Sequence, residues 1–159
     1  MNTNLTVSPA KRFGYACIGL LAGDAVLLLF LLVNALRLRS SLLAIHMGEP
    51  ARQIPEAFDI FIIYAVISFG GWLLVGLPTA LFVPARFFTG LRWPLRVLLG
   101  AALGPLALFV IFAFLAHGHI NSMSFPSGGL PWIYSIMVSI PSFVVYAALL
   151  GKRTSITHR

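Results

Sequence analysis

Four long apolar runs decide what this chain can fold into. They cover residues 13–36, 60–83, 97–115 and 130–150, and only Asp24 among them is charged at neutral pH. About 20 residues of helix, rising about 1.5 Å each, cross the roughly 30 Å hydrocarbon layer of a bilayer. In hydrocarbon every backbone N–H and C=O needs a partner inside the protein, which leaves helices and closed barrels. Unbroken apolar runs, with no alternating segments of about ten residues, select helices. Composition points the same way: 59% of the residues are hydrophobic and 9% charged, where a soluble domain carries about 25% charge. The expectation is an all-α polytopic membrane protein. Residues 1–159 form a single integral membrane domain, a compact bundle of four transmembrane helices. Pro78, Pro105 and Pro141 lie inside spans, where each removes a backbone hydrogen bond and kinks its helix.

The formal net charge of +7 would suggest nucleic acid in a soluble domain. Here the basic residues sit in short clusters between apolar runs. They read as topology signals and as contacts to anionic headgroups, with no nucleic-acid partner. Lys11, Arg12, Arg86, Arg92, Arg96, Lys152, Arg153 and Arg159 fall on one side, and Arg37, Arg39 and Arg52 on the other. Eight against three predicts cytoplasmic termini, and the expected location is a bacterial inner (plasma) membrane. The first run starts like a signal peptide, with Lys11 and Arg12. Its apolar run of about 24 residues exceeds the roughly 7–15 of a signal peptide's apolar core, so it reads as a retained helix.

The connections carry their own signals. Leu38, Leu42 and Ile45 keep helical spacing until Gly48 and Pro50, so the first helix continues past the membrane or bends onto its surface. Pro55 with Glu56 and Asp59 marks the start of the second helix, and Pro94 and Pro131 mark those of the third and fourth. Residues 117–129 form a turn-rich external loop.

Lipid offers little hydrophobic reward for helix contact, so small and weakly polar residues mark packed faces. Gly19 and Gly23 on the first span, and Gly100 and Gly104 on the third, have that spacing. The second span carries Tyr64, Ser68, Trp72 and Thr79 on one stripe, and the fourth carries Ser135, Ser139, Ser142 and Tyr146. Such a stripe either lines a polar path between helices or packs, each hydroxyl bonding a carbonyl of its own helix.

Asp24 lies near the middle of its span. An ionised Asp there costs about 2.5–3.5 kcal/mol on insertion scales, so it must be protonated, paired or facing a cavity. No Lys or Arg inside a span can pair with it. Together with Tyr64, Ser68, Thr79 and Ser139 it is the candidate intramembrane polar or ion site. An acidic residue in the first of four helices is also the arrangement of the small multidrug transporters, a likeness of architecture with no shared motif around Asp24.

His117 and His119 form a weak metal candidate, because a stable zinc site takes three or four ligands and their loop adds only Met123. Cys17 stands alone, which excludes an intramolecular disulfide and Cys-pair redox chemistry. No nucleophile elbow, zincin helix or phosphate-binding glycine loop is present. No catalytic set, cofactor or firm metal site is therefore expected. What remains is a non-enzymatic accessory or assembly subunit of a membrane complex, whose partners are the lipid bilayer and other membrane helices in a homo- or hetero-oligomer. The alternative is a small oligomeric transporter or channel with Asp24 as its proton or cation site.

Overall fold

The computed structural model describes residues 7–45, 53–115 and 129–156. Among these the regular elements are all helical: α1 (Pro9–Ile45), α2 (Gln53–Gly71), a π-helical turn (Trp72–Gly76), α3 (Leu77–Phe82), α4 (Ala85–Gly90), α5 (Trp93–Leu115) and α6 (Leu130–Ile156). Four stretches are long and apolar enough to cross a membrane, namely Pro9–Leu38, Ile54–Phe82, Trp93–Ala113 and Leu130–Gly151. The second is composite, running through α2, the π turn and α3. The chain is an integral membrane protein with four transmembrane helices in mutual contact.

The helices extend beyond the apolar runs that nucleate them. α1 is 37 residues long, about 55 Å at 1.5 Å per residue, so it continues past the hydrocarbon layer as the spacing of Leu38, Leu42 and Ile45 implies. Pro55 falls in the first turn of α2 with Glu56, and Pro94 and Pro131 are the second residues of α5 and α6. Each proline sits where its missing N–H has no carbonyl to meet. Pro105 and Pro141 lie inside α5 and α6, which run on through them.

Pro78 acts differently. It cannot donate to the turn before it, and its ring crowds that turn's carbonyls. The chain accommodates this with one wide turn, in which the N–H of Leu77 bonds the carbonyl of Trp72, five residues back. The hydroxyl of Thr79 takes up the Val75 carbonyl at 2.6 Å. Neither this turn nor the short helix α4 was foreshadowed by the hydropathy pattern.

Helix order around the bundle is α1, α6, α5, α2. α6 packs along both α1 and α5, whereas α2 leans on α1 and more lightly on α5 and barely meets α6 across the diagonal. Close packing against α6 rests on four glycines. A Cβ on Gly19 would stand 2.6 Å from the Ser142 carbonyl oxygen, and one on Gly23 would collide with Ser142 Oγ and the Val138 carbonyl. On the other side, a Cβ on Gly100 would meet Ile140 Cα at 2.9 Å, and one on Gly104 would strike the Ser135 carbonyl. So α6 presents its backbone to one glycine face of α1 and another of α5. Large side chains elsewhere point outward, Leu21, Val66 and Leu98 among them. In a bilayer that is the solvent-facing side.

The second span ends in a break, with Val83 and Pro84 extended before α4 begins. Its last carbonyls are orphans of a helix end and need donors. Arg12 from α1 supplies two, donating from Nη1 to the Leu81 carbonyl at 2.8 Å and from Nη2 to the Val83 carbonyl. Tyr146 from α6 donates to the Ala80 carbonyl at 2.8 Å. A cation there also faces the negative end of the helix dipole. Phe88 of α4 is buried beneath this cap, edge-on to Phe143 and Tyr146 at 5.6 and 5.2 Å.

Candidate functional site

Asp24 follows Gly23, so the glycine that lets α1 touch α6 also fixes which way the next residue leaves the helix. Successive residues on a helix are about 100° apart, and this turns Asp24 from α6 toward α2. There Ser68 Oγ stands 2.7 Å from Asp24 Oδ1 and 3.0 Å from the Ala65 carbonyl. The serine has one proton for two acceptors. A protonated carboxyl completes the set by donating to Ser68, which then donates to Ala65. An anionic one takes the serine proton and leaves the carbonyl unserved. Asp24 itself is half-buried.

Ser68 is also part of the wall of a cavity. Because α2 and α6 stand apart on the diagonal, the centre of the bundle holds a partly open space of about 130 Å³. That is comparable to an apolar cavity that admits benzene. Along α6 its lining runs from Pro131 to Tyr146, about 22 Å of helix. Tyr64, Ser68 and Thr79 line it from the second span, Gly104 from α5, and Ser135, Ser139 and Ser142 from α6. Of the five candidate polar residues read from the sequence, four therefore border one space, and Asp24 reaches it through Ser68.

Hydrogen-bond bookkeeping gives this space a chemical character. Ser135 donates to the Trp132 carbonyl at 2.8 Å, Ser139 to Ile136 at 3.2 Å and Ser142 to Val138 at 2.7 Å. Thr79 and Tyr146 donate to Val75 and Ala80. All five protons go to backbone carbonyls, and what these oxygens can still offer is lone pairs. Helix packing and a polar lining, alternatives in the sequence, coexist here. Four of these hydroxyls serve their own span with the proton and Tyr146 serves α3, while all five border the cavity with the oxygen.

At one end the lining is aromatic. Tyr64 and Tyr134 meet edge-to-face at 4.8 Å, and Phe30 closes on Tyr134 at 6.4 Å. At the π turn Trp72 lies between Phe13 and Phe69, each 5.9 Å away. Its buried Nε1 meets no acceptor among the described residues. Gly76 makes room for the indole, since a Cβ there would lie 3.1 Å from Trp72 Cδ1.

Two participants were not singled out from the sequence. Tyr134 sits one position off the serine stripe of α6, which a stripe of fixed spacing passes over. Arg12 was read as a topology signal, and nothing in the local sequence announces that it reaches the carbonyls of residues about 70 positions away. His117 and His119 lie outside the described residues. Among the described residues no three His, Cys, Asp or Glu side chains come together as metal ligands would. Cys17 is a free thiol, half-buried in α1. No protein-family model matches the chain, and no characterised protein and no solved structure matches it either.

Proposed function

We propose that the chain is a small non-enzymatic transporter or channel that handles protons or small cations through Asp24. The observation that carries this reading is the hydrogen bond between an intramembrane carboxyl and a hydroxyl on the wall of a central cavity, a largely apolar space into which serine and threonine oxygens are set. The energetics support it. An ionised Asp near mid-bilayer costs about 2.5–3.5 kcal/mol, and one charge-assisted hydrogen bond returns about 1.5–3 kcal/mol. The remainder is what a bound proton or cation offsets. Oxygens with their protons already committed suit a hard cation, which takes oxygen lone pairs as ligands.

The accessory-subunit reading draws on the absence of a catalytic set and on small-residue helix faces. Those faces are occupied within the chain, where Gly19, Gly23, Gly100 and Gly104 all meet α6. The apolar surface left outside is what lipid covers in any membrane protein. In the reading proposed here the chain works as an oligomer in a bacterial inner membrane, with both termini in the cytoplasm.

Flux of protons and of alkali cations into vesicles holding the purified chain tests the reading. Asp24→Asn keeps the shape and should abolish flux while leaving expression and helix content unchanged. Ser68→Ala should lower it. Flux equal in the Asn variant, or no flux above empty vesicles, overturns the proposal. A single different protein retained at fixed stoichiometry in mild detergent would then favour the accessory subunit.

A further inference from the structure

The basic residues at the end of the bundle where Arg12 caps α3 divide into two kinds. Arg12 is committed to the Leu81 and Val83 carbonyls. Arg96 is committed to α4, donating from Nε to the Leu91 carbonyl at 3.0 Å and from Nη2 to the Thr89 carbonyl at 3.3 Å. Lys11, Arg86 and Arg92 are exposed, and their side chains have no hydrogen bond or ion pair among the described residues. The sequence also provides no acid for them here. Its four carboxylates are Asp24 in mid-span, Glu49 in the α1–α2 connection, and Glu56 and Asp59 at the start of α2, the opposite end of the bundle.

Of the two exposed arginines, Arg86 lies within α4 and Arg92 two residues beyond it; α4 is a helix of six residues. One side of it is fixed to the protein by Phe88, which is 1% exposed. Phe82, Phe87 and Trp93 on and beside it are 84%, 51% and 62% exposed among the described residues. Aromatic side chains of this kind favour the depth where hydrocarbon gives way to headgroups, and basic residues beside them face the phosphates. Arg96 at one end of α4 and Arg12 at the break before it hold the segment in place, so the free arginines project from a fixed platform.

We infer that α4 and its flanks form a docking site for anionic phospholipid, with Arg86 and Arg92 binding the headgroup phosphate and Phe82, Phe87 and Trp93 lying against the acyl chains. Charge complementarity selects the occupant: unpaired cations on an apolar segment match a lipid that has negative charge and chains in one molecule. The site is independent of Asp24. It gives the three-arginine connection a role beyond orientation.

Native mass spectrometry of the full chain tests this, after equilibration with equimolar phosphatidylglycerol and phosphatidylcholine of identical acyl chains. The native chain should retain phosphatidylglycerol in roughly 25-fold preference, about fivefold for each of two basic residues at an anionic surface. Each of Arg86→Gln and Arg92→Gln should reduce that preference about fivefold, the weight of one basic residue at an anionic surface, and the double variant should bring it to parity. Asp24→Asn, which disables the proposed ion site, should leave the ratio unchanged. Parity in the native chain overturns the inference, as does a preference undiminished in both single variants. If the double variant does not fold, the single variants decide.

Discussion

Gly104 is a position where a single methyl group should do heavy damage. A Cβ added there would lie against the Ser135 carbonyl oxygen, 2.5 Å from Ser139 Oγ and 2.7 Å from the Ser135 carbonyl carbon. Ser139 can rotate away, at the expense of its 3.2 Å bond to Ile136. The Ser135 atoms are backbone and cannot. Ordinary contact starts at 3.4 Å, so α5 and α6 must part by at least about 0.7 Å to admit a methyl group this close to a main chain. Overpacking costs about 1–3 kcal/mol, and a backbone neighbour puts Gly104→Ala at the upper end. Alanine recovers about 1 kcal/mol over glycine in helix propensity. The net expectation is a loss of about 2 kcal/mol, roughly 30-fold in the folding equilibrium. Gly14 supplies the control, because a Cβ there meets nothing within 4 Å, so Gly14→Ala should be neutral or slightly stabilising. Reversible unfolding by dodecyl sulfate in mixed micelles, followed by circular dichroism, measures both. Agreement of the two variants within about 0.5 kcal/mol, the spread of uneventful substitutions, would refute the packing argument.

Three further outcomes follow from the same geometry. Arg12→Gln should destabilise by about 1.5–3 kcal/mol, because charge-assisted bonds to the Leu81 and Val83 carbonyls go with it, and amide exchange should quicken in residues 80–83. Tyr146→Phe leaves the Ala80 carbonyl without its donor and should cost about 1–3 kcal/mol; unfolding of the double variant should show coupling with Arg12 through the shared helix end. For orientation, in a Cys17→Ser background, Phe125→Cys should react with an impermeant maleimide added to intact cells and Gly90→Cys only after lysis. Gly90 is the better reporter than its buried neighbour Phe88, and reversed labelling would overturn cytoplasmic termini.

Four spans and their approximate limits were legible in the sequence because hydrocarbon imposes a length and a polarity that can be counted residue by residue. The stripes of α2 and α6 were legible as faces, since helical spacing alone gathers Ser135, Ser139 and Ser142 on one side. What the stripes face was not. That depends on which helices are neighbours and which are diagonal, and composition assigns every apolar helix the same surface. The π turn escaped for a related reason. Pro78 signals a lost hydrogen bond, but whether the helix bends, breaks or widens depends on the Thr79 hydroxyl and on where the Trp72 indole can lie. Helix α4 is six residues long, below the length at which periodicity carries a signal, and its anchor Phe88 looks in sequence like its exposed neighbour Phe87.

The cavity follows from an asymmetry in how α6 is used. Two of its sides are taken at backbone distance by the glycines of α1 and α5, and close approach on both fixes α6 in place. The second span has no comparable glycine pair turned toward α6. Gly71 is spent on α5, where a Cβ would lie 2.9 Å from Ala107 Cβ. It is tied to α6 instead by large side chains at two levels, the Tyr64–Tyr134 ring pair at one and the Tyr146 hydroxyl on the Ala80 carbonyl at the other. Those levels are about 18 Å apart along α6. Tyrosines reach farther than glycines, so they act as spacers as well as ties, and between them the two helices stand off. Apolar side chains such as Ile67, Val75, Leu108 and Ile111 make most of the wall of that gap, and among them stand hydroxyls whose protons are already taken by backbone carbonyls. Filling the gap with Leu or Phe would have been the ordinary way to stabilise such a bundle. This chain has serines along part of it and a carboxyl one hydrogen bond behind, an arrangement that gives up packing energy and that, under the proposed transport function, sets oxygen where an ion would need it.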